Sequence, residues 1–293
     1  MMSKNIPLIV IHKGEQDYLK SCLASIEKHH ELYLIGNNEN KNLAKNWIDF
    51  DSLKNNHFER FDINYIHMSS NSESFEKICF QRYLVMYEFA KKNKINEFIH
   101  CDSDIYLLGN CHKLINKMKK FGAAFFIPKN QSDYRMTASP HFSYWKLEVL
   151  EEFIEYFINK YKEKPDDLIK KYKYHIDNNL PGGICDMTLL FLFAQERNDV
   201  MNIMYDDDFY LNFNASTLEY KTLDRREIIF NHNYKVIKNE IFYCDEKVLK
   251  KVLFLHLQGR TKKFMKYAEN NNYSMLFFNI SLLNLLRKIK RII

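Results

Sequence analysis

The chain predicts an α/β fold, a mostly parallel central sheet flanked by helices, with a C-terminal amphipathic helix. Three observations point there. Residues 6–11 (IPLIVI) form a short continuous apolar run, as expected of a strand buried on both faces. Strand-like runs then alternate with segments of helical period, the order that builds parallel sheets. The last stretch, 273–293, carries apolar residues to one side and ends in a basic cluster.

Taken in order, Asp17 to Lys28 places Leu19, Leu23 and Ile26 at helical spacing. Leu32 to Ile35 reads as a second strand, stopped by the turn signal Gly36-Asn37-Asn38, and Asn64 to Met68 as a third. The clearest helix runs from Ser74 to Lys92, with Ser74 as its N-cap and Ser72 with Glu76 as the alternative. Glu97 to His100 is a strand leading directly into Cys101-Asp102-Ser103-Asp104, and the strand Ala123 to Ile127 stops at Pro128. Further on, Lys146 to Lys162 and Asp166 to Tyr174 read as helices. Asp186 to Glu196 is an apolar helix entered through Pro181-Gly182-Gly183. Residues 200–244 read as short strands and turns, Leu253 to Leu257 as a last strand before Gly259, and Tyr273 to Ile293 as the closing helix.

Composition narrows the function classes. A chain of 293 residues with 46% hydrophobic residues can bury one large core, and 7 Gly and 5 Pro leave little for linkers. The net charge of +6 is mild. No zinc-finger spacing, RNP-like motif or mid-chain basic helix accompanies it, so nucleic acid is not expected as a partner. The six cysteines are scattered without a CxxC pair, and the N-terminal apolar run is too short for a signal peptide. Both point to reduced thiols in a cytoplasmic protein. No stretch reaches transmembrane length.

The chemistry centres on Asp102-Ser103-Asp104. Two carboxylates one residue apart at the end of a strand can lean into the crevice at the sheet's carboxyl edge, where open α/β sheets bind ligands. Hard oxygen ligands suit magnesium or manganese, which bridge nucleotide phosphates. Two other Asp-x-Asp triplets lack this setting. Asp49 and Asp51 lie in a polar segment with no preceding strand, and Asp206 to Asp208 read as a solvated turn. The second element is His256-Leu257-Gln258-Gly259-Arg260-Thr261-Lys262 at a strand exit. A His can complete a carboxylate metal site, Gly lets backbone approach a phosphate, and Lys neutralises it. The plainer reading is a partly buried His beside a turn glycine and a surface lysine.

FIHCDSDIYLL followed some 150 residues later by HLQGRTK resembles the GT-A glycosyltransferases, and most of all the family 8 type of bacterial lipopolysaccharide galactosyl- and glucosyltransferases. Members pair a DxD motif with a C-terminal HxxGxxK motif. The resemblance implies a GT-A domain over residues 1–270, with 1–130 as the nucleotide-sugar half and 131–270 as the acceptor half. It implies that Asp102 and Asp104 hold a manganese or magnesium ion with His256 as third ligand. Asp102, with Ser103 beside it, would also lie near the donor ribose. Lys262 and the backbone at Gly259 would meet the diphosphate, and Ile11, His12 and Lys13 the nucleobase. Arg82 is a further candidate for donor contact, a helix-surface arginine being the plain alternative. The donor would be a nucleotide sugar, with a UDP-sugar foremost, and the acceptor a bacterial surface glycan or glycolipid such as lipopolysaccharide, lipooligosaccharide or capsule.

This chain departs from the family pattern in three places. Lys262 is followed by Lys263-Phe264 instead of Pro-Trp. His141-Phe142-Ser143-Tyr144-Trp145 stands where an Asn-x-Gly stretch is expected, and Asp186 alone represents an Asp-Gln pair. A neighbouring capsule-type family and either stereochemistry stay open. Asp186 opens an apolar helix, where it can bind acceptor, serve as the base of an inverting transfer, or simply stabilise the helix N-terminus.

In residues 273–293, Phe277, Phe278, Leu282, Leu283, Leu286, Ile289 and Ile293 fall near one side, with Arg287, Lys288, Lys290 and Arg291 at the end. That pattern suits a helix lying on an anionic inner membrane, with a helix docked on the protein or pairing in a homodimer as the alternative. Two other classes compete for the whole chain. A sugar-phosphate nucleotidyltransferase would want a glycine-rich basic loop where His12-Lys13-Gly14-Glu15 stands. A membrane-associated binding protein would keep the fold without turnover.

Overall fold

A computed structural model describes residues 6–211, 213, 215, 220–224, 227–230, 234–245 and 248–292. In chain order the elements open with β1 (Leu8–Ile11), α1 (Asp17–Glu27), β2 (Leu32–Gly36), β3 (Trp47–Asp49), α2 (Asn56–Asn64) and α3 (Glu73–Lys92). There follow β4 (Glu97–Cys101), β5 (Ile105–Leu107), α4 (His112–Met118), β6 (Ala123–Phe126), β7 (Ser139–Lys146), α5 (Leu147–Glu163), α6 (Asp166–Asp177), α7 (Asp186–Gln195) and β8 (Val200–Asn202). The last third holds β9 (Phe209–Tyr210), β10 (Tyr220–Asp224), β11 (Glu227–Phe230), β12 (Tyr234–Ile237), β13 (Glu240–Asp245), β14 (Val248–Val252), β15 (Phe254–His256), α8 (Met265–Glu269) and α9 (Tyr273–Ile292). The chain divides into two compact units, one of Met1–Gly14, Tyr33–Asp102 and Lys113–Ile203, the other of Glu15–Leu32, Ser103–His112 and Met204–Ile293.

The first unit carries the seven-stranded sheet, in the order β3-β2-β1-β4-β7-β6-β8. Parallel pairing joins β2 to β3, β1 to β4 and β6 to β8, while β7 runs antiparallel to both β4 and β6. The fold is therefore mixed α/β with a mostly parallel sheet, as the alternation predicts. α5 buries Val149, Leu150, Phe153, Ile154, Phe157, Ile158 and Tyr161 at three- and four-residue spacing, one continuous apolar face. Trp145 of β7 lies fully buried among Tyr83, Phe125 and Phe153, with ring centroids 5.7–5.9 Å away. Its indole N–H is satisfied by Ser143 Oγ at 3.0 Å, so the largest core side chain carries no unpaired donor.

Three expectations are corrected in this unit. Asn64 to Met68 is no strand, because Asn55 caps α2 through the His57 amide and the helix, buried through Phe58 and Phe61, runs on to Asn64. The carbonyl of Met68 instead accepts from Ile184 N–H at 2.7 Å. α3 is capped by Ser72, whose Oγ accepts from Phe75 N–H, while Ser74 falls inside the first turn. Asp49 does end a strand, the short β3. Nearby Asp51 is exposed and ion-paired at 2.9 Å with Lys54, which holds its carboxyl below the usual range.

The second unit is built from three separated stretches of chain. β5 pairs antiparallel with β15, and Ser25 of α1 accepts the Leu107 amide at 3.0 Å. β12, β13 and β14 form an antiparallel meander with β9 parallel at its edge, and β10 and β11 pair with each other. Asp206 forms the expected turn, accepting from the amides of Asp208 and Phe209 at 2.9 Å. It is buried at 5% exposure, whereas Asp207 and Asp208 face solvent.

α9 is long and amphipathic as predicted, but its apolar residues do not share one side. Leu276, Phe277 and Ile280 are buried in the second unit, with the Phe277 ring 5.9 Å from Tyr234 and 6.1 Å from Phe213. Met275, Leu282, Leu285, Leu286 and Ile289 are exposed. At about 100° per residue, Leu282, Leu286 and Ile289 turn away from the docked row. Ile293 and the side chains of Lys288, Lys290 and Arg291 lie outside the described residues. Among the described residues no helix is long and apolar enough to cross a membrane.

Candidate active site

In the first unit, β4 delivers Asp102 at its C-terminal end, and the Asp102 amide donates to His141 O at 2.8 Å. Arg82 projects from α3 and is not a helix-surface residue, its side chain being 13% exposed. Its Nη1 donates to Asp102 Oδ1 at 3.0 Å and its Nη2 to Asp186 Oδ2, while Nε donates to Cys79 O at 3.0 Å. Asp186, 2% exposed at the start of α7, also accepts from Tyr83 OH at 3.1 Å. His100 Nε2 lies 3.2 Å from Asp102 Oδ1, and its Nδ1 lies 3.3 Å from Ile9 O.

Burial opposes the charge of Arg82, yet Asp186 foremost, then Tyr83 and Asp102, hold its guanidinium well above its ordinary value. Burial and then Asp186 likewise push the Tyr83 phenol up, so it stays a donor. A planar guanidinium suits this bridge because its N–H groups point along separate fixed directions, one to each carboxylate.

The loop after β1 follows a different course. His12 N–H donates to Ile35 O at 3.0 Å, and buried Asn40 donates to His12 O at 2.8 Å and Gly14 O at 3.0 Å. Gly36 has to be glycine here, since a Cβ would stand 2.0 Å from Asn40 Oδ1. Lys13 lies over the Phe50 ring at 3.7 Å, with Asp51 at 3.8 Å, and Ile11 is partly buried. Within the first unit the structure thus joins Arg82, Asp102 and Asp186 and sends Lys13 toward Phe50.

In the second unit, Asp104 precedes β5, and His256 ends β15. Asp104 Oδ1 lies 3.3 Å from His256 Nε2, and Oδ2 lies 3.2 Å from Lys262 Nζ. Asp104 Oδ1 is buried and makes no hydrogen bond. Such an atom facing an imidazole nitrogen suits a hard or borderline divalent ion, the class that takes carboxylate and imidazole together. The Gln258 carboxamide meets His256 Nδ1 at 3.3 Å. The atom of that side chain facing the ring is the amide nitrogen, Nε2. These residues fit the predicted metal site.

Gly259 sits at φ +56°, a left-handed conformation that opens the 3₁₀ turn Gly259–Phe264 carrying Lys262. Burial works against the Lys262 charge, but Asp104 and then Tyr18 raise it above the usual lysine value. A cavity of about 660 Å³ adjoins this turn, lined by Gly259, Arg260, Lys262, Lys263 and Lys266 on one side and by Glu15 to Tyr18 and Ser21 on the other. The Tyr18 ring lies 5.0 Å from Lys262 Nζ. Ser103 is partly buried between the two acids in sequence.

Tyr83, His100, Tyr18, Arg260, Lys263 and Lys266 also line these sites, beyond the residues expected from the motifs. A signal existed for the last three, because Arg260, Lys263 and Lys266 recur every third residue after a glycine.

No protein-family profile matches the chain, and no curated protein does. Among solved structures, the chain is similar to mouse xyloside xylosyltransferase 1 at 12% identity, over 68% of this chain and 84% of that one, with a TM-score of 0.49. It is similar to the galactosyltransferase LgtC, solved with donor and acceptor sugar analogues, at 11% identity over 67% and 73% with a TM-score of 0.38. A glycosyltransferase involved in glycosylating the major capsid of PBCV-1 matches at 13% identity over 70% and 85%, also with a TM-score of 0.38.

Proposed function

We propose that this chain is a divalent-metal-dependent GT-A glycosyltransferase that moves a sugar from a UDP-sugar to a bacterial surface glycan or glycolipid, as in lipopolysaccharide, lipooligosaccharide or capsule. The observation that carries the reading is the buried, unbonded Oδ1 of Asp104 beside His256, next to a cationic cavity. Asp102, Asp104 and His256 would hold manganese or magnesium. When bound, the ion supplies Lewis-acid stabilisation of the departing diphosphate.

The chain's own residues supply the rest. Lys262, with Arg260, Lys263 and Lys266 in the same cavity, offers fixed positive charge where the leaving nucleoside diphosphate gathers negative charge. The left-handed Gly259 keeps that turn free of a side chain, so backbone N–H groups can face phosphate. The guanidinium of Arg82 fixes the orientation of Asp102 and Asp186 together. Asp186 is the acceptor-side carboxylate, and is the general base if transfer inverts. In this reading residues 1–270 form the catalytic domain. The exposed row of α9 with the basic residues after it meets the cytoplasmic face of the inner membrane, where a lipid-linked acceptor resides.

The test is a thermal-shift and hydrolysis screen of UDP-, GDP- and CMP-sugars with and without manganese, on the wild type and Asp104→Ala. Manganese-dependent stabilisation and hydrolysis by one UDP-sugar, both lost in the variant, is the expected result. Binding without turnover would instead support a nucleotide-sugar-binding protein. No response to any nucleotide would sink the proposal.

A further inference from the structure

The strand order of the first unit reverses at β1. From β1 the sheet runs through β2 to β3 on one side, and on the other side β1 meets β4. Open α/β sheets bind ligands in the crevice outside the carboxyl ends of the two strands at such a switch point. Here those ends carry Ile11 and Asp102, which stand level because β1 and β4 are parallel with Val10 opposite Cys101. The wall of the crevice beside Asp102 is therefore the loop that leaves β1, residues 12–14.

Asn40 holds that loop. It ends the 3₁₀ turn Asn38–Asn40 after β2 and is fully buried. Both hydrogens of its amide are used, Nδ2 donating to His12 O at 2.8 Å and to Gly14 O at 3.0 Å. Its Oδ1 accepts from Trp47 Nε1 at 3.1 Å. These contacts fix which way the amide faces, since an indole N–H only donates and a backbone carbonyl only accepts. Asn37 Oδ1 accepts the Gly14 amide at 2.9 Å, and the His12 amide donates to Ile35 O at 3.0 Å, so the loop is tied at both ends. Lys13, between the two tied carbonyls, is drawn off to the Phe50 ring and Asp51. Ile11 and His12, both half-buried, remain beside Asp102 in register. A buried amide is costly unless its partners are met, and an apolar residue of similar size would fill the space without that demand. The amide thus specifies the course of the loop and not merely its packing.

We propose that Asn40 is a positioning residue for nucleoside recognition. Held by Trp47 on one side and bonded to two carbonyls on the other, it sets the β1 loop as the wall against which the nucleoside half of the donor rests. The hydrogen bonds themselves depend on no reaction, whereas their role in recognition rests on the nucleotide-sugar reading. The diphosphate half is assigned to the metal ligands and Lys262, so Asn40 acts on the nucleoside alone.

The experiment measures binding of UDP and of inorganic pyrophosphate by calorimetry, each with magnesium, to the wild type, Asn40→Asp and Trp47→Phe. Asn40→Asp keeps the size of the side chain but turns a carboxylate oxygen toward two carbonyls. Trp47→Phe removes only the donor to Oδ1, and serves should the Asp variant fail to fold. UDP should bind about tenfold more weakly to Asn40→Asp and about threefold more weakly to Trp47→Phe, as expected when a preorganised wall has to be ordered on binding. Pyrophosphate, which carries no nucleoside, should bind all three alike. Equal weakening of both ligands, the mark of a general structural loss, overturns the proposal. Unchanged UDP affinity in the folded variants overturns it too, and leaves the nucleotide-sugar reading standing. A wild type that binds no UDP removes that reading and this proposal with it.

Discussion

Replacing Arg82 by leucine probes the cation that bridges Asp102 and Asp186. The guanidinium serves two carboxylates in unlike surroundings: the Asp186 side chain is 3% exposed and that of Asp102 is 29% exposed. Removing the cation leaves Asp186 with Tyr83 OH as the other partner described on Oδ2, inside a site that water scarcely reaches. Breaking a buried pair in this way costs about 3–5 kcal/mol, whereas the more exposed Asp102 pairing contributes at most about 1 kcal/mol. The expected loss is about 4 kcal/mol, a drop in Tm of roughly 10 °C for a chain of this size. Urea unfolding of a double-mutant cycle separates the two partners. Arg82→Leu with Asp186→Asn should show a coupling of about 3 kcal/mol, and with Asp102→Asn about 1 kcal/mol or less. Arg82→Lys should recover little, since one ammonium does not reproduce the fork. A loss below about 1 kcal/mol, or equal coupling to both acids, would refute the bridge.

Three further outcomes are expected. Gly259→Ala should lower stability by about 1 kcal/mol through its left-handed φ alone, because no atom lies within 4 Å of the added Cβ; Gly259→Asn should lose less, as thermal melts would show. His30 accepts the Cys111 amide at 3.0 Å, and burial, then His112 and His29, lower its pKa from 6.5 to about 4. The unfolded chain therefore binds the extra proton in that window. Stability should be complete well above pH 6.5 and fall by about 3 kcal/mol as pH drops to 4, a slope that His30→Asn should flatten in pH-dependent urea melts. On α9, Leu286→Asp and Ile289→Asp, at sites 50% and 44% exposed, should lower sedimentation with anionic vesicles while leaving Tm nearly unchanged. Leu276→Ala, fully buried, should cost about 2–4 kcal/mol.

The elements that the sequence discloses are those with a full period to display. α5, α7 and α9 carry several turns of apolar spacing, and β1 and β6 are uninterrupted apolar runs. β7 escapes because Pro140, His141 and Ser143 break the apolar pattern, although every residue from Pro140 to Trp145 is buried. β3 and β5, three residues each, are too short to show a period. In the candidate site, Asp104, His256, Gly259 and Lys262 stand out because their spacing is itself a chemical pattern. Arg82 does not, since an arginine on a long helix normally reaches solvent, and only the packing around α3 reveals that it is buried. Lys171 is equally silent, because two of its three partners, Arg135 O and Met136 O, are backbone carbonyls that no side-chain pattern encodes.

The pairing of β5 with β15 bears on how this protein is made. Ile105–Leu107 finds its partner strand about 150 residues later in the chain, and α1 waits on the same late segment for Glu269, which accepts from Ser21. At ordinary rates of translation that interval is about 10–30 s. During it the fully apolar strand IYL and the apolar side of α1 have no native cover, while most of the seven-stranded sheet can already assemble. The nascent chain thus passes through a half-built stage with sticky surface on display, which makes holding chaperones and slow-growth expression temperatures natural aids to its production.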